Sequence, residues 1–151
     1  MEELIPTIDE IVKFGLIPKL KDENKNELLE KNLVKIYSLY FEANYKFDEK
    51  DYGEFEIEKY PNIRQNIETN FEDFGFYKML LDINDFENKT ENTLSDAVDD
   101  LMDIIKDLLE VKWRIENNSF NDGIWFFKFI FRSHTQQHIL DLLNYIKQKE
   151  E

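Results

Sequence analysis

The chain holds two histidines, four residues apart in the run His134-Thr135-Gln136-Gln137-His138. On a helix, residues four apart share a face, so the two imidazoles could hold one metal ion between them. At about 100° per residue, Phe127, Phe131, His134, His138, Asp141 and Tyr145 fall on one stripe. Asp141 would add a carboxylate, completing a two-histidine, one-carboxylate set of the kind that binds divalent first-row metals. The plainer reading places both histidines at the core or its rim, hydrogen-bonded to backbone carbonyls, to Tyr145 or to an acid on another helix. No zinc-peptidase signature is present, because Thr135 stands where His-Glu-x-x-His would place its glutamate.

A second candidate set is acidic. Asp96, Asp100, Asp103, Asp107 and Glu110 recur at steps of three and four, opposite an apolar face of Leu94, Val98, Leu101, Ile105, Leu108 and Leu109. With Asp99, this stripe reads as the solvated side of an amphipathic helix, as a site for a divalent cation, or as a surface for a basic protein partner. It is no calcium loop, since Asp-x-Asp-x-Asp-Gly spacing is absent. A third set is aromatic: Trp125 to Phe131, with Phe71, Phe74 and Phe76. It could line a small-ligand pocket around Trp125 and Phe127, but such residues more often build core, at about 1.5–3 kcal/mol of burial each.

Composition narrows these chemistries. The chain of 151 residues carries 33 acidic against 19 basic side chains, a net charge of -14. Nucleic acids and anionic membranes bind through Lys and Arg, so both are poor partners for it. The absence of Cys removes disulfides, thiolate metal sites and thiol catalysis. Nucleophile elbows, phosphate loops, dinucleotide fingerprints and kinase motifs are missing too, which weighs against an enzyme. No stretch approaches the ~20 apolar residues of a membrane span. Met1-Glu2-Glu3 lacks the basic start of a secretory signal, so the expected location is the cytoplasm.

The elements that must position these residues are helical. Only 4 Gly and 3 Pro leave few turns. Helix one is predicted over about Ile8 to Leu16, with Thr7 and Glu10 as a capping box. Helix two spans about Asn26 to Tyr45, and a charged loop follows, with a short strand placed at Phe55-Glu56-Ile57. Helix three follows Pro61, and its stripe runs through Ile63, Ile67, Phe71, Phe74, Tyr77 and Leu81. Helix four is predicted over about Ser95 to Ile115. Helix five, from Ser119 or Asp122 to about Gln148, is so apolar in its first half that it belongs at the bundle centre.

Helices four and five also carry a resemblance. The run Leu94 to Leu108, then Asp122-Gly123-Ile124-Trp125-Phe126-Phe127-Lys128-Phe129-Ile130-Phe131, then His134, His138 and Leu140 to Tyr145, resembles a bacterial family catalogued as domain of unknown function 5063. The match lies mainly over residues 94–147. That family carries Trp-Gly between its histidines where this chain has Thr135 and Gln136, and a further C-terminal His that this chain lacks. The resemblance implies an all-α fold and no particular activity.

The expectation is therefore a single all-α domain over residues 1–151, a bundle of about five helices whose last two form a long antiparallel pair. Its first functional reading is a non-enzymatic interaction module for a basic protein partner, in one form an immunity protein against a basic toxin, using Asp96, Asp99, Asp100, Asp103 and Asp107. The alternative is a metal-binding protein or metal-dependent enzyme using His134, His138 and Asp141, with an acid from helix four as a further candidate ligand. No cofactor is expected beyond that divalent metal, and nothing in the sequence sets an oligomeric state.

Overall fold

A computed structural model describes residues 1–149. In chain order it contains α1 (Leu4–Leu16), α2 (Lys25–Glu42), a 3-10 turn (Ile57–Lys59), α3 (Ile63–Asn70), β1 (Phe76–Met79), β2 (Thr93–Asp96), α4 (Ala97–Asn117) and α5 (Phe120–Ile130). A π-helical segment (Phe131–Thr135) then leads without a break into α6 (Gln136–Lys149). The protein is mainly helical, as composition requires, with one small antiparallel sheet added.

The core forms around α4, which packs against α1, α3, α5 and α6. Val98, Leu101, Ile104, Ile105, Leu108 and Val111 give α4 an unbroken apolar side, buried throughout. Central position thus belongs to α4, not to the aromatic segment that follows it. α5 is apolar nearly all round, yet Phe120 and Phe129 point to solvent and only Gly123, Ile124, Phe126 and Phe127 are buried. Its remaining rings stack on one another, Trp125 against Phe129 at 5.9 Å.

The helix expected from Pro61 to Leu81 stops after two turns. The Asn70 side chain turns back to the end of α1, donating to the carbonyls of Phe14 (2.9 Å) and Ile17 (2.7 Å) and accepting from the Leu20 amide (2.8 Å). Phe71 and Phe74 remain buried, but as a turn stacked under Phe14. Phe76 to Met79 then pair as a strand with Thr93 to Asp96, in the register Phe76 opposite Asp96 and Met79 opposite Thr93. Leu81, assigned to a helical stripe, is 62% exposed, and Phe76 is 70% exposed. Aromatic residues after Gly75 favour an extended chain once a partner strand is at hand, which overrides the weaker helical period. Leu94 belongs to this hairpin, and α4 begins only at Ala97, where the Asp96 carboxylate accepts from the Val98 amide at 3.0 Å.

Two smaller expectations also change. Thr7 lies inside α1 rather than at its cap, and its hydroxyl donates to the Glu3 carbonyl at 2.6 Å. The strand expected at Phe55-Glu56-Ile57 is absent among the described residues; the 3-10 turn at Ile57–Lys59 stands at its end. At the other boundary the reading matches: Ser119 caps α5, its hydroxyl accepting from the Asp122 amide at 3.0 Å.

The π segment sets the facing of everything beyond it. Phe127, Phe131, Thr135 and Ile139 are all buried, each four residues after the last. Three such steps over-rotate an α-helix by about 120°. The wider π turn takes up one residue, about 100°, and so keeps Thr135 and Ile139 on the side begun by Phe127.

Candidate metal centre

The acidic side of α4 is covered, not solvated. The helical segment 120–149 lies along it: Arg114 meets Asp122, Asp107 meets His134 and Thr135, and Asp100 meets His138. Sequence periodicity separated the two faces of α4 but gave no sign that both would be buried. Asp100 is 3% exposed and Asp96 8% exposed. Each aspartate of the expected partner surface has a neighbour within the chain. Asp96 caps α4 and accepts from Arg64 at 2.9 Å, and Asp99, the most exposed of them, also pairs with Arg64. Asp100 and Asp107 hold the histidines, and Asp103 approaches His138. Asp100, Asp103 and Asp107 of the expected stripe therefore face a polar seam that the last helical segment covers, while Asp99 stays exposed beside Arg64.

Two matched arrangements fill the seam. His134 Nδ1 lies 2.8 Å from Asp107 Oδ2, and the same oxygen accepts from the Thr135 hydroxyl at 2.7 Å. His138 Nδ1 lies 2.8 Å from Asp100 Oδ1, while Asp100 Oδ2 accepts from the Tyr77 hydroxyl at 2.5 Å. Carboxylates accept and do not donate, so each imidazole carries its proton on Nδ1. The two Nε2 atoms then face each other across 3.2 Å, a hydrogen-bond distance when one of them carries a proton. Asp103 Oδ2 stands 3.6 Å from His138 Nε2. One ligand atom each from Asp103, His134 and His138 lies within 4.8 Å of the others.

Electrostatics follow from this packing. Hydrogen bonding to Asp100 raises the His138 pKa above its ordinary value, against the opposing effect of burial, and Asp103 and Asp107 add to the rise. Burial raises the pKa of Asp107, outweighing its bonds from Thr135 and His134. Burial likewise raises Tyr77, with Asp100 as the second cause, so the phenol stays a donor.

The structure brings His134 and His138 together, as their spacing implies, and leaves Asp141 apart from them. Asp141 accepts from Gln137 Nε2 at 2.9 Å and is not among the three clustered ligands; Asp103, on the neighbouring helix, is. A stripe drawn at a constant step runs straight through the π segment, and an acid expected from helix four carries no number until the two helices are packed. Thr135 and Tyr77 were also missed, since nothing in the sequence links either hydroxyl to an aspartate on α4. The aromatic pocket expected at Trp125 and Phe127 is filled: Phe127 is fully buried, with Tyr40 and Phe131 ring-to-edge beside it. A groove of about 350 Å³ lies between α1 and α4, but its walls are Val12, Leu109, Trp113 and their neighbours.

No protein-family model, curated protein or solved structure matches the chain. No helix among the described residues is long and apolar enough to cross a membrane.

Proposed function

We propose that this chain is a divalent-metal-binding protein, with His134 Nε2, His138 Nε2 and an Asp103 oxygen as ligands. One observation carries the reading: two imidazole Nε2 atoms face each other at 3.2 Å, each ring fixed by a carboxylate on its far nitrogen. Two acceptors at that distance repel unless a cation lies between them. A proton can serve, and so can a metal. Asp103 favours either cation by its charge, and its oxygen adds a third ligand atom within 4.8 Å of the two nitrogens, a set that a metal uses and a shared proton does not. Carboxylates behind metal-binding histidines are also the usual supporting arrangement, fixing the tautomer and strengthening the ligand.

The spacing suits a small first-row ion. With bonds of about 2.0–2.1 Å, a cation shared by nitrogens 3.2 Å apart sits at an angle of about 100–105°. The 3.6 Å separation of Asp103 and His138 corresponds to about 120–130° under the same bond lengths. These bracket the tetrahedral angle and leave a fourth position on the solvent side, where His134 is 42% exposed. Zinc, whose bond lengths these angles assume, is the first ion to test.

Titration of the full chain with zinc against a chromophoric chelator tests the proposal. One equivalent should bind, and none should bind after His134→Gln with His138→Gln. Absence of binding by the unaltered chain would leave a proton-bridged imidazole pair and end this reading. The interaction-module reading keeps the net charge of -14 in its favour but finds its aspartates paired internally. Membership in the family of domain of unknown function 5063 belongs to the same proposal, because the long α4 and 120–149 pair that bears the resemblance holds all three ligands.

A further inference from the structure

The β-hairpin touches the histidine seam through one hydroxyl. Tyr77 sits opposite Ser95 in the register and packs its ring on Tyr145 at 5.3 Å. Its OH donates to one oxygen of Asp100, and the other oxygen of Asp100 receives His138 Nδ1. Asp100 is nearly sealed from water, so these two donors carry most of what stabilises its charge. The partner arrangement differs. Asp107 takes its hydroxyl from Thr135, one residue from the histidine it supports, and so reaches no other element.

We propose that Tyr77 is a positioning residue for the metal site, acting through Asp100 on His138, and that it couples metal occupancy to docking of the 76–96 hairpin. The proposal rests on the metal-binding reading above. When a cation takes the Nε2 lone pair, the Nδ1 proton becomes more acidic and its bond to Asp100 strengthens. That gain requires Asp100 to keep its orientation, and the Tyr77 hydroxyl on the opposite oxygen is what keeps it. Coupling of this kind is reciprocal: a hairpin that tightens metal binding is itself held more firmly by the bound metal.

Three full-length proteins test it: the unaltered chain, Tyr77→Phe and Tyr145→Phe. The last removes the hydroxyl that accepts from the Gly75 amide at 3.0 Å, loosening the same end of the hairpin without touching Asp100. Zinc affinity is measured by chelator competition, and amide hydrogen exchange of residues 76–96 is followed with and without zinc. Tyr77→Phe should weaken zinc by about 10–100-fold, the usual cost of losing a supporting partner. Tyr145→Phe should stay within about twofold of the unaltered chain, because the histidine support is intact. Zinc should slow exchange across the hairpin in the unaltered chain and not in Tyr77→Phe. Equal zinc affinity in the unaltered chain and Tyr77→Phe overturns the inference while leaving the metal site standing. Equal losses in both variants overturn it too, since general loosening of the hairpin would then be the cause. Failure of the unaltered chain to bind zinc removes both this inference and the reading beneath it.

Discussion

Replacement of Asp103 by Asn separates a metal ligand from a structural residue. The Asp103 side chain is 32% exposed, and its 3.6 Å approach to His138 is too long for a strong hydrogen bond. Without metal, Asp103→Asn should therefore change unfolding stability by no more than about 0.5 kcal/mol. With zinc the two proteins should part. A ligand at one hundred times its dissociation constant stabilises the native state by about 2.7 kcal/mol. In a domain of this size that raises the melting temperature by about 5–10 °C. If the variant binds even 10–100-fold more weakly, the same zinc concentration supplies only about 0.4–1.4 kcal/mol, a rise of a few degrees at most. Thermal unfolding followed by circular dichroism, on both proteins with and without zinc, reads all four values. An equal zinc-induced rise in both proteins would refute the assignment of Asp103 as a ligand. A metal-free variant already melting many degrees lower would show that the residue holds the seam together instead.

Other expectations follow from the same contacts. Because Asp100 raises the His138 pKa above its ordinary 6.5, charged His138 stabilises the metal-free protein below about pH 6.5, and this contribution is lost as pH rises through the folded value. Zinc affinity should run oppositely, weakening as pH falls through that window; denaturant midpoints and zinc titrations across it check both slopes, and metal-free stability that climbs there contradicts the pairing. Gly123→Ala would place a Cβ 2.2 Å from Ile115 Cγ1 and 2.9 Å from the Ile115 backbone nitrogen, where α5 crosses α4. It should cost at least about 2 kcal/mol in chemical denaturation, and a neutral result would mean that the helices separate more easily than their packing implies. Asn70→Ala removes three hydrogen bonds to the α1 terminus at once, for an expected loss of about 2–4 kcal/mol; a loss below about 1 kcal/mol would show water replacing them.

The helical elements were legible where one face alone is apolar. Leu101, Ile105 and Leu108 announce α4, and Ser119 with Asp122 announces the start of α5. Periodicity reports which side of a helix is greasy, but not what covers the other side. For that reason Asp100, Asp103 and Asp107 read as solvated although they face histidines. The hairpin was hidden for a different reason. Phe76 to Met79 become a strand only through Thr93 to Asp96, and no local pattern predicts a partner at that distance. The candidate site was half legible: two histidines at a helical spacing were visible, while Asp103, Tyr77 and Thr135 needed the packing of α4 against the last helical segment.

The π segment has a consequence for how this chain can vary. Loss of any one residue from 131–135 would let the backbone relax into a regular α-helix, so the deletion would cost little in local hydrogen bonding. Its effect would appear downstream, where Ile139, Leu142 and Ile146 would turn by about 100°, out of the core they now fill. A gained residue nearby would turn them too. A change in length here therefore shifts every buried side chain beyond it at once, and a gap in this region among relatives would mark a different arrangement of the histidine seam.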